Sequence, residues 1–350
     1  MSYLQAIILF CLKQMKGERT EYAVYHLLKG KKSSQTIQDG HLYQVSEFFN
    51  SYPKLDRKQF DHHIQALKDK GFLGHQNNHY YISHEGKDEL ENFFTDHPFP
   101  SSLNGWKVGD SSLIWWKRLS LLVQVLSHYS RKELKYYPVQ REQEIQEWIK
   151  MFLRKNKENI NDLNRILFDE LIKLLSNEDF PDHPVLFTNM LTGGEQIGLT
   201  TLQAAEKLKI DPDEFRYRYL NVLHYIVIEV LENNGYFPLL YSLLKQENQA
   251  QILTHSTKET YRLLTRGMEM DVIAKVRKLK KSTIEDHLVE IALADPTFSI
   301  DNYVHPEAQK CVIEVTQIIN QKKLKLIKEK IPLLSYFQIR LVLAKFGDQV

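Results

Sequence analysis

The stretch that most constrains this 350-residue chain is Arg266 to Ile291, RGMEMDVIAKVRKLKKSTIEDHLVEI. Two short helical patterns flank a tight turn, and five basic residues fall between 275 and 281. Met268, Val272, Ile273 and Val276 define a buried face on the first helix; Ala274 allows close approach, and Leu279 plugs the turn. Ser282 is expected to open the second helix as N-cap, with Glu285 three residues on completing a capping box. Ile284, Leu288 and Ile291 then form the inner face, while Thr283, Asp286, His287 and Glu290 point outward. This is the order of a helix-turn-helix, whose second helix can enter a DNA major groove. Lys280 and Lys281 stand where a phosphate would approach the positive end of that helix. The competing reading is an ordinary helical hairpin with a solvated basic turn.

The rest of the chain sets the context. Its net charge is only +2, so any affinity for nucleic acid must come from local patches. Hydrophobic content of 43% and charged content of 26% describe an ordinary globular protein with room for more than one core. Cys11 and Cys311 lie far apart, which argues against a disulfide framework or a zinc site and fits a reducing cytoplasm. The apolar run Tyr3 to Leu12 is about half the length that spans a bilayer and reads as a buried first helix. There is no phosphate loop, no HExxH and no Gly-x-Ser-x-Gly, so neither an enzyme nor a motor is expected.

Residues 1 to 97 read as a winged helix-turn-helix. Helical patterns at Leu4–Met15, Thr20–Leu28, Ser34–Phe49 and Arg57–Lys70 precede Gly71 as a C-cap, and two strand-like segments then surround a polar turn. Asp56 caps the recognition helix of this module, whose polar residues are Arg57, Lys58, His62, His63 and Lys68; His75, Asn77 and Asn78 mark the wing tip. Adjacent histidines on a helix diverge by about 100°, so they are read as surface residues rather than metal ligands.

Pro98, Pro100, Gly105 and Gly109 mark a boundary over 96 to 110. A central helical domain follows over 110 to 250. Its stripes (Trp148, Ile149, Phe152 and Leu153; Leu163, Ile166, Leu167 and Leu171) read as core. Within it, TTLQAAEKLKIDPDEFRYRYL again has helix-turn-helix form, with Thr201 as a cap and Asp211-Pro212 opening the second helix. Arg216 and Arg218 would reach outward, but the apolar continuation Tyr225 to Ile228 marks it as a structural copy. The C-terminal helical domain covers 251 to 350, and Lys322, Lys323, Lys325, Lys328 and Lys330 offer a further basic strip.

Two resemblances join these observations. Gly267, Ile273-Ala274, Arg277, Leu279, Ser282-Thr283-Ile284 and His287-Leu288, with YFQIRLVLAKF at 336 to 346, resemble the helix-turn-helix module at the C-terminus of some bacterial RecQ-type helicases. The whole chain is similar to the YpbB family, which carries this module without a helicase motor. The resemblance implies a mainly α, non-catalytic DNA-binding protein that assists a RecQ-like helicase in repair or recombination, without cofactor, small-molecule substrate or membrane. The expected DNA contacts are Lys278, Lys280, Lys281, Ser282, Thr283, His287, Arg57 and Lys58. A sequence-specific transcription regulator and a protein–protein scaffold that never touches DNA remain as alternatives.

Overall fold

A computed structural model describes residues 1–76, 79–133, 135–156, 159–244 and 253–347. The fold is mainly α: among the described residues there are eighteen α-helices and one two-stranded antiparallel sheet. None of these helices is long and apolar enough to cross a membrane. The chain forms two compact units, and neither is a continuous segment. Unit 1 comprises Met1–Ala6 and Phe93–Gln249; unit 2 comprises Ile7–Asn92 and Ala250–Val350. In place of separate segments over 1–97, 110–250 and 251–350, the two ends of the chain share one unit.

Unit 2 starts with most of α1 (Tyr3–Met15), followed by α2 (Glu21–Leu28), α3 (Ser34–Leu42), α4 (Arg57–Asp69), β1 (Leu73–Gln76), β2 (His79–Ile82) and most of α5 (His84–Asp96). The helix expected over Ser34–Phe49 stops at Leu42, because Gln44 takes a left-handed conformation, φ 54°; a single 3-10 turn, Ser46–Phe48, resumes after it. The wing has the expected order, with Leu73 opposite Ile82 and Gly74 opposite Tyr81. A Cβ at Gly74 would lie 2.2 Å from Cζ of Tyr81, so that exposed ring would have to swing aside for any larger residue. Asn77 and Asn78 lie outside the described residues.

Unit 1 is built on α6 (Gly105–Ser130), α7 (Gln143–Lys155), α8 (Ile160–Leu175), α9 (Val185–Thr188), α10 (Thr201–Leu208), α11 (Pro212–Glu232) and α12 (Pro238–Ser242). Gly105 and Gly109 sit inside α6 rather than in a linker. Its core gathers Trp115, Leu119 and Leu122 of α6 with Ile145 and Ile149 of α7, Leu163 and Leu167 of α8, and Val222, Ile226 and Val230 of α11. The Trp115 indole donates to Leu240 O at 3.0 Å, and Glu170 accepts the backbone N–H groups of Leu239 and Leu240 at 2.9 and 2.8 Å, closing the start of α12.

Unit 2 is completed by α13 (His255–Leu264), α14 (Met270–Arg277), α15 (Lys281–Ala294), α16 (Pro306–Ile319), α17 (Leu324–Lys330) and α18 (Tyr336–Phe346). Here α15 is the central rod: α13, α14, α18 and α3 all pack against it.

Candidate nucleic-acid interface

Helices α13, α14 and α15 form the helix-turn-helix around Leu263, Ile273 and Ile284, with Met268, Ala274 and Leu279 at its edge. The turn is made by Lys278 in the left-handed region, φ 54°. Its N–H donates to Lys275 O at 3.2 Å, and the next, from Leu279, donates to Ala274 O at 3.0 Å. This geometry ends α14 early and lets α15 begin at Lys281. Lys280 therefore occupies the N-cap position, with no side-chain cap, and Ser282 falls inside the first turn. The expected Ser282–Glu285 capping box is not formed. Val272 and Val276, expected to be buried, are exposed, because only Ile273 of this helix turns fully into the core.

The start of α15 thus has an unusual charge arrangement. Lys278, Lys280 and Lys281 are exposed at the helix end whose N–H groups already carry partial positive charge. Cations disfavour that end unless an anion meets it, and an N-terminus of this kind is suited to phosphate. Asp271 partly answers the charge, pairing with Lys281 at 3.0 Å on the surface. Ser282 is exposed beside them, and Thr283 is half-buried.

His287 does not belong to this exposed set. Its ring is buried, with Nδ1 2.8 Å from Thr260 Oγ1 of α13. Burial, helped by the neighbouring Arg277 guanidinium, lowers its pKa to about 4. Arg277 in turn donates to Ser256 O at 2.6 Å and to Thr260 Oγ1. Glu290, also expected outside, is buried and accepts hydrogen bonds from Thr254 and Thr257. The face of α15 opposite its helix-turn-helix core is covered as well. Asp286 pairs with Arg340 of α18 at 2.7 Å and accepts from Ser34 Oγ of α3 at 3.0 Å. Only the first turn of α15 can reach a ligand, so its length cannot lie in a groove in this arrangement.

The recognition helix of the wing module, α4, is different. The Asp56 side chain accepts from Lys58 N at 2.9 Å and Asp56 N donates to Gln59 Oε1 at 3.3 Å, a complete capping box. Phe60, Ile64 and Leu67 face inward, and Arg57, Lys58, Asp61, His62, Gln65 and Asp69 form an exposed polar face. The Arg57 guanidinium lies 3.7 Å from the centre of the Tyr22 ring and 3.6 Å from Asp61, which fixes its direction. His75 is exposed on β1.

Two other basic features resolve differently. Lys322 and Lys328 are turned to the protein: Lys322 Nζ donates to Leu42 O and Gly347 O at 3.1 and 2.9 Å, and Lys328 Nζ to Pro332 O at 2.8 Å. Lys325 and Lys330 remain exposed. In unit 1, α10 and α11 repeat the α14–α15 turn. An eight-residue helix ends on a left-handed Lys209, φ 56°, and Ile210 N donates to Ala205 O at 3.1 Å before the N-cap of the next helix. Thr200, not Thr201, caps α10, through a box with Gln203. Where α15 opens with lysines, α11 opens with Asp211, Asp213 and Glu214. Arg218 is tied to Asp182 at 2.7 Å and to Glu214 at 3.0 Å. The acidic opening makes this copy unsuited to phosphate. Sequence reasoning missed the enclosure of α15, because its covering partners, Ser34 and Arg340, come from distant parts of the chain.

Comparison with known proteins also places a helix-turn-helix domain in this part of the chain. A family model described as "Helix-turn-helix domain" matches residues 256–343, which span α13 to most of α18. The chain is 34% identical to Protein YpbB of Bacillus subtilis (strain 168) over 355 aligned residues, covering 100% of this chain and 99% of the relative. No solved structure matches.

Proposed function

The chain belongs to the YpbB family, and on that premise we propose that it is a non-catalytic DNA-binding protein acting as an accessory to a RecQ-like helicase in repair or recombination. The observation that carries the DNA reading is the start of α15, where Lys278, Lys280 and Lys281 surround a helix N-terminus that no side chain caps. These lysines hold the phosphate backbone. The exposed face of α4, with Arg57 and Lys58 at its start, supplies the element able to enter a groove. The helicase partnership rests on the likeness of Gly267, Ile273-Ala274, Leu279 and Ser282-Thr283-Ile284 to a helicase-borne module, in a chain without a phosphate loop.

A Lys280→Ala/Lys281→Ala double variant is expected to weaken binding to all duplex sequences alike. It should flatten the plot of log affinity against log salt by ~2, about one unit per lost phosphate contact. Equal affinity and slope for variant and parent remove the assignment of these lysines. The enclosure of α15 favours a second reading, a scaffold that binds proteins alone. Co-purification with a helicase, together with no mobility shift on plain or forked duplex at low salt, selects that reading instead.

A further inference from the structure

The turn between α17 and α18 holds the most exposed of the large apolar side chains among the described residues of unit 2. Leu333 is 95% exposed, and Tyr336, in the first turn of α18, is 49% exposed. A solitary exposed leucine is ordinary. This one is unusual in how it is held. Lys328 reaches back from α17 and donates to the carbonyls on both sides of it, Pro332 O and Leu334 O. On the far side, Ser335 caps α18 through a box with Gln338. The Gln338 amide also donates to Tyr303 O at 3.1 Å, and Phe337 turns inward against the Tyr303 ring. The backbone is thus fixed before and after Leu333, while the side chain itself touches water.

The exposed charged residues of the preceding helix are Lys325 and Lys330, with Glu329, and Lys323 before them is half-exposed. An apolar tip on a turn held from both sides, an exposed aromatic ring three residues on and exposed lysines on the preceding helix match the chemistry by which proteins enter an opened base step: the tip displaces a stacking partner, the ring stacks, and the lysines meet the flanking phosphates. We propose that Leu333 and Tyr336 form a wedge that engages unpaired or unstacked bases at the junction of a DNA fork. This rests on the DNA-binding reading above and adds to it the DNA structure preferred. Lys328 is a positioning residue that holds the wedge.

The test uses the full chain, a forked duplex with 2-aminopurine at the junction, and a blunt duplex of the same sequence. The parent protein is expected to prefer the fork and to raise 2-aminopurine fluorescence. Leu333→Ser, which removes a solvent-facing side chain and should leave the thermal melt unchanged, is expected to lose roughly tenfold in fork affinity with blunt-duplex affinity intact. Lys328→Met keeps Leu333 but frees the turn, and is expected to lose most of the same preference. If Leu333→Ser binds both DNAs like the parent, the wedge is overturned while the DNA reading stands. If Leu333→Ser instead loses a protein partner and keeps the fork, Leu333 is a protein anchor and the proposal is likewise overturned. If the parent shifts neither DNA, the DNA reading fails and the wedge with it.

Discussion

Acidification from pH 6.5 to about 4 is expected to remove roughly 3 kcal/mol of stability from unit 1 through a single side chain, His224. Its ring is buried on α11, and Nδ1 accepts the Asn104 N–H at 2.9 Å, holding the residue that caps α6. Burial lowers its pKa from 6.5 to about 4. The folded state therefore keeps the ring neutral, while an unfolded chain takes up a proton once the pH drops below 6.5. The full contribution is present above 6.5, declines by about 1.4 kcal/mol per pH unit below it, and is gone below about 4, where the folded ring also protonates. Urea unfolding followed by tryptophan fluorescence, at several pH values through this window, measures the slope. A His224→Gln variant, less stable at neutral pH, should show a slope shallower by about 1.4 kcal/mol per pH unit. Parallel slopes for parent and variant would refute the assignment. His287 acts in the same direction in unit 2, since its pKa is lowered to about 4 as well.

Glu290→Ala is expected to destabilise unit 2 by about 2–3 kcal/mol, a large effect for a residue that reads as solvent-facing. Its carboxylate accepts from the Thr254 backbone N–H, from Thr254 Oγ1 at 3.1 Å and from Thr257 Oγ1 at 2.6 Å. Thr254 is the N-cap of α13, so the carboxylate fastens the start of that helix to α15. Burial pushes the Glu290 carboxyl pKa up, and the donors from Thr254 and Thr257 pull it back, so the net benefit is well below the sum of three charged hydrogen bonds. Alanine takes the acceptor from the Thr254 N–H and the Thr257 hydroxyl beside a small void, while Thr254 Oγ1 still reaches Thr257 Oγ1 at 2.8 Å. Glu290→Gln keeps the volume and one acceptor oxygen and should cost less than half as much. An alanine variant within about 0.5 kcal/mol of the parent in urea would overturn this account.

Much of the helical architecture could be read from local pattern. The capping signal at Asp56, the inward triad of Phe60, Ile64 and Leu67, and Gly71 at φ 75° are all set by neighbours within a few residues, and α4 appears where they put it. The helix-turn-helix at 266–291 also emerges, since Ile273, Ile284 and Leu279 meet as the spacing requires. What failed was the outward face of α15. His287, Glu290 and Asp286 are polar, and polarity at helical spacing normally means solvent. Their partners are Thr260, Thr257 and Thr254 on α13, Arg340 on α18 and Ser34 on α3. No periodicity reveals a partner so far along the chain. The converse error at Val272 and Val276 has the same origin: an apolar stripe says which residues could be buried, and only the packing decides. Gly105 and Gly109 misled in a third way. Gly105 opens the 26-residue helix α6, and Gly109 lies inside it at a cost of about 1 kcal/mol that the apolar packing of the helix outweighs.

The discontinuous make-up of unit 2 also bears on biosynthesis. The segment Ile7–Asn92 leaves the ribosome well before Ala250–Val350, so α3 must wait for the helix it covers. At translation rates of about 5–20 residues per second, that delay lasts roughly 10 to 50 s. During it, the amino-terminal segment of unit 2 lacks the carboxyl-terminal helices that complete its core. Expression of the 256–343 portion by itself would strip α15 of its amino-terminal cover and is expected to give an aggregation-prone product. Sound dissection of this protein should therefore retain both ends of the polypeptide.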